Sequence, residues 1–293
     1  MRFTEIGQQL RAYRLESGLR AEEIAARLGV SRAALYRYEK GEVIKLDTIK
    51  RLAELLKISP LSLLGIGVEY YNRAIGYFER IRQTEETADQ ILQAHGPICY
   101  LTTSDSYDAA LATAFEEAAD NSGNDRSGMR ATSEQVLGIM AARKRMYGIR
   151  RPGIIAMIAL PKLLRFVEEG VAGNIPLSDR TRRICRKVAI DEVANIASLM
   201  ETEPMGLQFG LLTTVEPTSS FKILRARDRA SLAINPFDSD SAPNTPSGVA
   251  MITGAEEAIA AHQRVAEAQW RDALKGAAAA AKVRELLAAH PLN

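Results

Sequence analysis

A three-residue break, Gly29-Val30-Ser31, restricts the fold of this chain more than any other feature. Before it, Ile24, Ala25 and Leu28 fall on one face of a helix predicted over 21–28. After it, Ser31 is a favourable N-cap, since its hydroxyl accepts from an amide left free in the first turn. A second helix follows over 32–40, closed by Gly41. The flanking sequence repeats the pattern. Phe3, Ile6, Leu10 and Tyr13 recur at three- and four-residue steps until Gly18, and Leu46, Ile49, Leu52, Leu55 and Leu56 mark a further helix. Ser59-Pro60 opens another that carries Leu63 and Leu64. Residues 1–67 therefore read as an all-α domain of five short helices.

Charge separates this region from the rest. The net charge is +2, yet residues 1–67 hold twelve Lys or Arg against eight acids, so the remainder is faintly acidic. Such a distribution points to phosphate contact by the first part alone. A length of 293 residues suggests two domains, and 46% hydrophobic with 25% charged residues suffices for a core in each. The opening MRFTEIGQQLR lacks the apolar run of a signal peptide, and no stretch approaches the roughly 18 apolar residues of a membrane helix. A soluble, cytoplasmic protein with no membrane partner is expected. Cys99 and Cys185 are too few for a disulfide scaffold and lack metal-ligand spacing, so neither a metal nor a cofactor is expected.

The run AEEIAARLGVSRAALYRYEKG at 21–41 resembles the helix-turn-helix of the phage repressor/Cro and XRE family of transcriptional regulators, and the likeness covers about 3–66. It assigns each position a physical task. Ala25 is small where the two helices cross, Gly29 relieves the turn, and Val30 with Leu35 fills the angle. Ser31 caps the recognition helix, whose outward positions are then Arg32, Ala33, Tyr36 and Arg37. Arginine donates two hydrogen bonds to guanine O6 and N7, which makes Arg32 and Arg37 candidate base readers, with phosphate contact the alternative for each. Ala33 offers a methyl contact, and Tyr36 reaches base or phosphate. Lys40 and Lys45 fit phosphate. Where family members place a cap residue and a phosphate-gripping glutamine, this chain has Arg20 and Ala21, so Arg20 is the expected substitute. The family's pairing of an arginine late in the first helix with a glutamate ending the recognition helix falls on Arg14 and Glu39.

Beyond residue 67, Val68, Tyr71, Ile75 and Phe78 repeat at three-four spacing and predict a helix over 68–93, ended by His95-Gly96-Pro97. Segment 68–95 is either a dimer-linking helix or a helix packed on its own C-terminal domain. The rest alternates. Strands are predicted over 98–103, 154–159, 207–215, 221–225, 230–234 and 249–253. Helices are predicted over 105–120, 133–147, 161–169, 178–201 and 255–289 with a break at Gly276, and 121–128 and 235–248 read as loops. This alternation argues for an α/β domain with a mixed sheet over 96–293. The stretch SFKILRARD at 220–228 weakly resembles phospholipase D-like domains that have lost catalysis, because Ser220 stands where active members carry histidine.

One recognition helix reads few base pairs, so a homodimer on a palindromic double-stranded operator is expected, with 68–293 supplying dimerisation and a response to a small-molecule effector. A repressor controlled by a protein partner, in the manner of antitoxins, and a DNA-binding enzyme are the alternatives. His95, His262 and His290 lie far apart, and the chain has no phosphate-binding Gly-rich loop and no G-x-S-x-G elbow, so catalysis is not expected.

Overall fold

The computed structural model describes residues 3–214, 220–237 and 248–291. The N-terminal region holds α1 (Phe3–Ser17), α2 (Ala21–Leu28), α3 (Arg32–Glu39), α4 (Leu46–Leu56) and α5 (Pro60–Leu63). The expected apolar stripes that can be described are buried, with Ile6, Leu10 and Tyr13 of α1 packing with Ile24, Leu28, Leu35, Ile49, Leu52 and Leu63, except at Leu46, which opens α4 and is 65% exposed. Ser59 caps α5 by accepting from the Leu61 amide, with Pro60 in the first turn, where proline's missing N–H is no loss.

The next segment departs from the sequence reading. Residues 68–93 are not one helix but β1 (Val68–Tyr71), α6 (Ala74–Glu85) and the start of β2 (Gln90–Gly96). In β1, Glu69 and Tyr71 point inward and Tyr70 outward, the period of two of a strand. The apparent three-four repeat of Val68, Tyr71, Ile75 and Phe78 therefore joins residues of two different elements. Val and Tyr favour the pleated surface, and the strand pairs antiparallel with β7 (Ala250–Thr253), Val68 opposite Thr253 and Tyr71 opposite Ala250.

Beyond β2 come a 3-10 turn (Tyr100–Thr102), α7 (Asp105–Asp120), α8 (Arg126–Arg150), β3 (Gly153–Ala159), α9 (Leu160–Glu169) and α10 (Asp179–Thr202). The chain continues through β4 (Leu207–Leu212), β5 (Ser220–Ala226), β6 (Arg229–Asn235), β7, α11 (Glu256–Asp272) and α12 (Gly276–Ala289). The strand predicted over 98–103 is instead the 3-10 turn, because the Thr102 and Thr103 hydroxyls donate to the Cys99 and Tyr100 carbonyls and curl the backbone. The loop predicted over 121–128 is largely a 3-10 turn (Gly123–Asp125) and the first turn of α8. Val215 and most of the loop predicted over 235–248 lie outside the described residues.

The described strands form a mixed seven-stranded sheet in the order β1-β7-β6-β5-β2-β3-β4. Pairs β2–β3 and β3–β4 are parallel, while β2–β5, β5–β6, β6–β7 and β7–β1 are antiparallel. Its two faces sort by alternation. Ile91, Ile154, Ala156 and Leu224 join the core with α6 to α10 and α12, whereas Leu92, Met157, Ile223 and Leu232 pack with Ile259 and Ala266 of α11.

The helical region does not hang from the sheet by a tether. The larger core runs without interruption from Ile6 to Val283. Tyr13 of α1 stacks on Tyr71 of β1 with ring centroids 5.2 Å apart, and Tyr71 is fully buried. Helices α1 and α6 approach so closely at Gly76 that a Cβ there would lie 2.5 Å from Glu16 Oε2 and 3.1 Å from Glu16 Cα.

Candidate nucleic-acid interface

The turn between α2 and α3 is built as the residues demand. Gly29 ends α2 with φ 70, the left-handed conformation that glycine adopts without strain, and the Val30 amide returns to the Ala25 carbonyl at 3.0 Å. Ser31 Oγ accepts from the Ala34 amide at 3.1 Å and fixes the start of α3. Leu35 is fully buried beneath it.

The other end of α3 is clamped. Arg14 Nε donates to Glu39 Oε1 at 2.5 Å and Arg14 Nη2 to Oε2 at 3.1 Å, a bidentate pair with side chains 13% and 4% exposed. Burial pushes the Arg14 guanidinium toward neutrality, but Glu39 outweighs it and the net shift is upward. Arg14 also lies 5.8 Å from the Tyr36 ring centroid. The cap read at Ser31 and the Arg14–Glu39 pair implied by the resemblance thus stand at the two ends of α3.

On the outer face of α3, Ser31, Arg32, Ala33, Arg37 and Lys40 are exposed and Tyr36 is half-buried. Arg32 lies over the Tyr36 ring at 5.3 Å, donates to its hydroxyl at 3.3 Å and pairs with Glu22 at 2.7 Å. Arg37 pairs with Glu42 at 3.3 Å. All four charged partners are more than half exposed, so solvent screens each pair and it is readily exchanged for another acceptor. Arg20 is exposed and precedes α2, its amide donating to Glu23 Oε2 at 3.1 Å. Lys45 is exposed at the N-cap of α4.

The four residues assigned to a dimer-linking helix are placed otherwise. Val68 and Tyr71 belong to β1, while Tyr71 and Ile75 are buried within the chain and leave no free apolar stripe. Phe78 lines a cavity. This cavity, of about 90 Å³ and partly open to solvent, lies outside the carboxyl end of β2. Tyr77, Phe78, Gly96, Tyr100, Arg143 and Lys222 are among its lining. Glu85, the last residue of α6, accepts from Arg143 Nε at 2.7 Å and Nη2 at 2.9 Å and from Lys222 Nζ at 3.2 Å. Burial works against the Glu85 carboxylate, but Arg143 and Lys222 hold it below the ordinary carboxylate value. No spacing marks these three residues as a cluster, since 58 and 137 positions separate Glu85 from its partners.

Two of the three histidines meet around one ring. His95 and His262 lie 5.3 and 4.9 Å from the Phe221 centroid, and His95 Nε2 is 2.7 Å from Gln269 Oε1. Among the described residues there is no cluster of three or more His, Cys, Asp or Glu able to hold a metal, and no helix is long and apolar enough to cross a membrane.

The arrangement of α2, turn and α3 is what the comparison with protein families recognises. Residues 5–63 match a helix-turn-helix domain. That match supports a DNA-binding, regulatory role for the N-terminal region. No curated protein and no solved structure matches the chain.

Proposed function

We propose that this chain is a sequence-specific transcriptional regulator of the XRE type, reading DNA through the exposed face of α3 and responding to a small molecule held in the C-terminal cavity. The observation that carries the first half is the rigid presentation of Arg32, Ala33 and Arg37. A short helix is fixed by Ser31 at one end and by the Arg14–Glu39 pair at the other, with its outer side left to solvent. Its N-terminal residues then enter the major groove, while Arg20, Lys40 and Lys45 contact phosphate on either side. A homodimer on a palindromic site supplies the affinity that one helix lacks.

For the second half, α6 is the support. One side of it faces the cavity through Tyr77 and Phe78, and its end carries Glu85. The other side holds α1: Arg11 pairs with Glu79 at 2.8 Å, and Gln83 Nε2 donates to the Gln8 carbonyl at 3.1 Å. A shift of α6 is therefore felt at the helix that anchors α3. No catalytic role is proposed. Ser220, at the position where phospholipase D-like enzymes carry histidine, donates its hydroxyl to the Asn235 carbonyl at 3.0 Å.

The experiment is to select double-stranded DNA from a random pool with the purified full chain and measure the enriched site by fluorescence anisotropy. A palindromic consensus bound by a dimer, with affinity falling steeply as salt rises, is expected. Enrichment of no sequence above the pool would overturn the reading.

A further inference from the structure

Among the described residues, the charges at the cavity do not balance. Arg143 and Lys222, both in the lining, turn to the single carboxylate of Glu85, and among the described residues the lining itself contains no acid. Asp108, the nearest carboxylate on α7, is already engaged by Lys144 at 2.7 Å and by the Tyr100 hydroxyl at 3.0 Å. Burial pushes the Lys222 amine down, Glu85 pulls it up, and Arg143 pushes it down again. Among the described residues the cluster thus sets two cations against one carboxylate in a place that water screens poorly. Around it the walls are flat and apolar. The Arg143 guanidinium lies 5.8 Å from the Phe78 centroid and 5.2 Å from that of Tyr100, and Phe237 closes the far side 5.8 Å from Tyr77.

We propose that the cavity binds a small organic anion with a flat apolar body, its charged group shared by Arg143 and Lys222 and its body lying among Phe78, Tyr100 and Phe237. This assignment rests on the ligand-responsive reading above and gives that ligand a chemical class. A space of about 90 Å³ that opens to solvent admits a small planar ring and excludes a folded partner. The apolar walls favour a planar ring over a bare inorganic ion, and the surplus cation favours a carboxylate over its neutral amide. The incoming anion competes with Glu85 for the same donors and so loosens the end of α6 from α8 and β5.

The test uses the full chain without DNA. Isothermal titration calorimetry compares benzoate and indole-3-acetate with benzamide, indole-3-acetamide and inorganic phosphate. The aromatic acids should bind at least tenfold more tightly than their amides and than phosphate. Glu85→Gln, which frees both cations, should tighten the acids about tenfold, and Lys222→Met should weaken them about tenfold. Amides binding as well as acids, phosphate binding as well as either, or no acid binding by about 10 mM would overturn the proposal. So would a Lys222→Met protein with unchanged selectivity, a variant that keeps the Glu85–Arg143 pair and holds if Glu85→Gln fails to fold. Operator affinity is measured separately. Acids that bind in calorimetry yet leave DNA binding unaltered would support the site and sink the effector role of the preceding section.

Discussion

Arg37 on α3 is 61% exposed and tied only to an equally open Glu42, so its removal costs the fold little and its effect is felt on DNA. Arg37→Ala is expected to lose about 1–3 kcal/mol on the selected operator while changing binding to random DNA little, because a bidentate base contact depends on sequence. Anisotropy on both DNAs decides this, and equal losses would assign Arg37 to phosphate. Arg14 and Glu39 behave in the opposite way. Removing either strands a partly buried charge and is expected to destabilise the chain by about 3–5 kcal/mol, whereas the double substitution costs less than the two singles together. Denaturant unfolding of the four proteins measures the coupling, and strict additivity would refute it. Both residues were legible only through the family resemblance, which places an arginine late in the first helix against a glutamate ending the recognition helix. Glu85, Arg143 and Lys222 were not, since only the sheet and α6 bring them together.

Among the elements, α6 shows why the sequence misled over 68–93. Amphipathic reasoning expects polar residues outside, yet Glu79, Gln83 and Glu85 are buried on this helix, each with a specific partner. In β1 the alternation is hidden in the same way. Glu69 takes an inward place, where it accepts from Gln9 at 2.6 Å, the Tyr71 hydroxyl at 2.7 Å and Arg80 at 2.8 and 2.9 Å. A buried carboxylate with four donors has no apolar signature. The helices from α7 onward and the strands β3 to β7 were legible, because buried polar residues such as Arg143 on α8 and Glu192 on α10 interrupt their apolar patterns without hiding them. Two predictions belong here. Gly76→Ala places a methyl against the Glu16 side chain, at 2.5 Å from Oε2 and 2.8 Å from Cβ, and is expected to destabilise the α1–α6 contact by about 1–3 kcal/mol, measured by thermal unfolding. Glu79 titrates below its ordinary value of 4.5, because burial, which raises it, is outweighed by Arg82 and Arg11. A lowered folded value means its contribution is present above pH 4.5 and is lost as pH falls below that value through the folded one. Unfolding midpoints from pH 6 to about pH 3 should therefore fall less steeply in Glu79→Gln than in the parent; parallel curves would remove Glu79 from the acid response.

Across the whole molecule, the continuous core and the bonds from α1 to β1 and α6 predict that the DNA-binding helices and the sheet unfold together. Calorimetry should show one transition for the full chain, and two well-separated transitions would contradict it. A fragment ending at residue 67 loses the Tyr71 ring that covers Tyr13, the Glu69 acceptor of Gln9 and the Glu79 partner of Arg11. It is expected to be less stable than the same helices in the intact chain.

The pairing of β1 with β7 also sets a timetable for synthesis. The DNA-binding helices leave the ribosome first, but the strand that follows them finds its described strand partner only when residues 250–253 emerge, close to 180 positions later. Until then Tyr71 and Glu69 have no sheet to hold them against α1. A chain broken off before Ala250 carries every candidate base-reading residue yet lacks the β1–β7 pairing behind them, so incomplete products are expected to hold the helix-turn-helix less firmly than the finished protein.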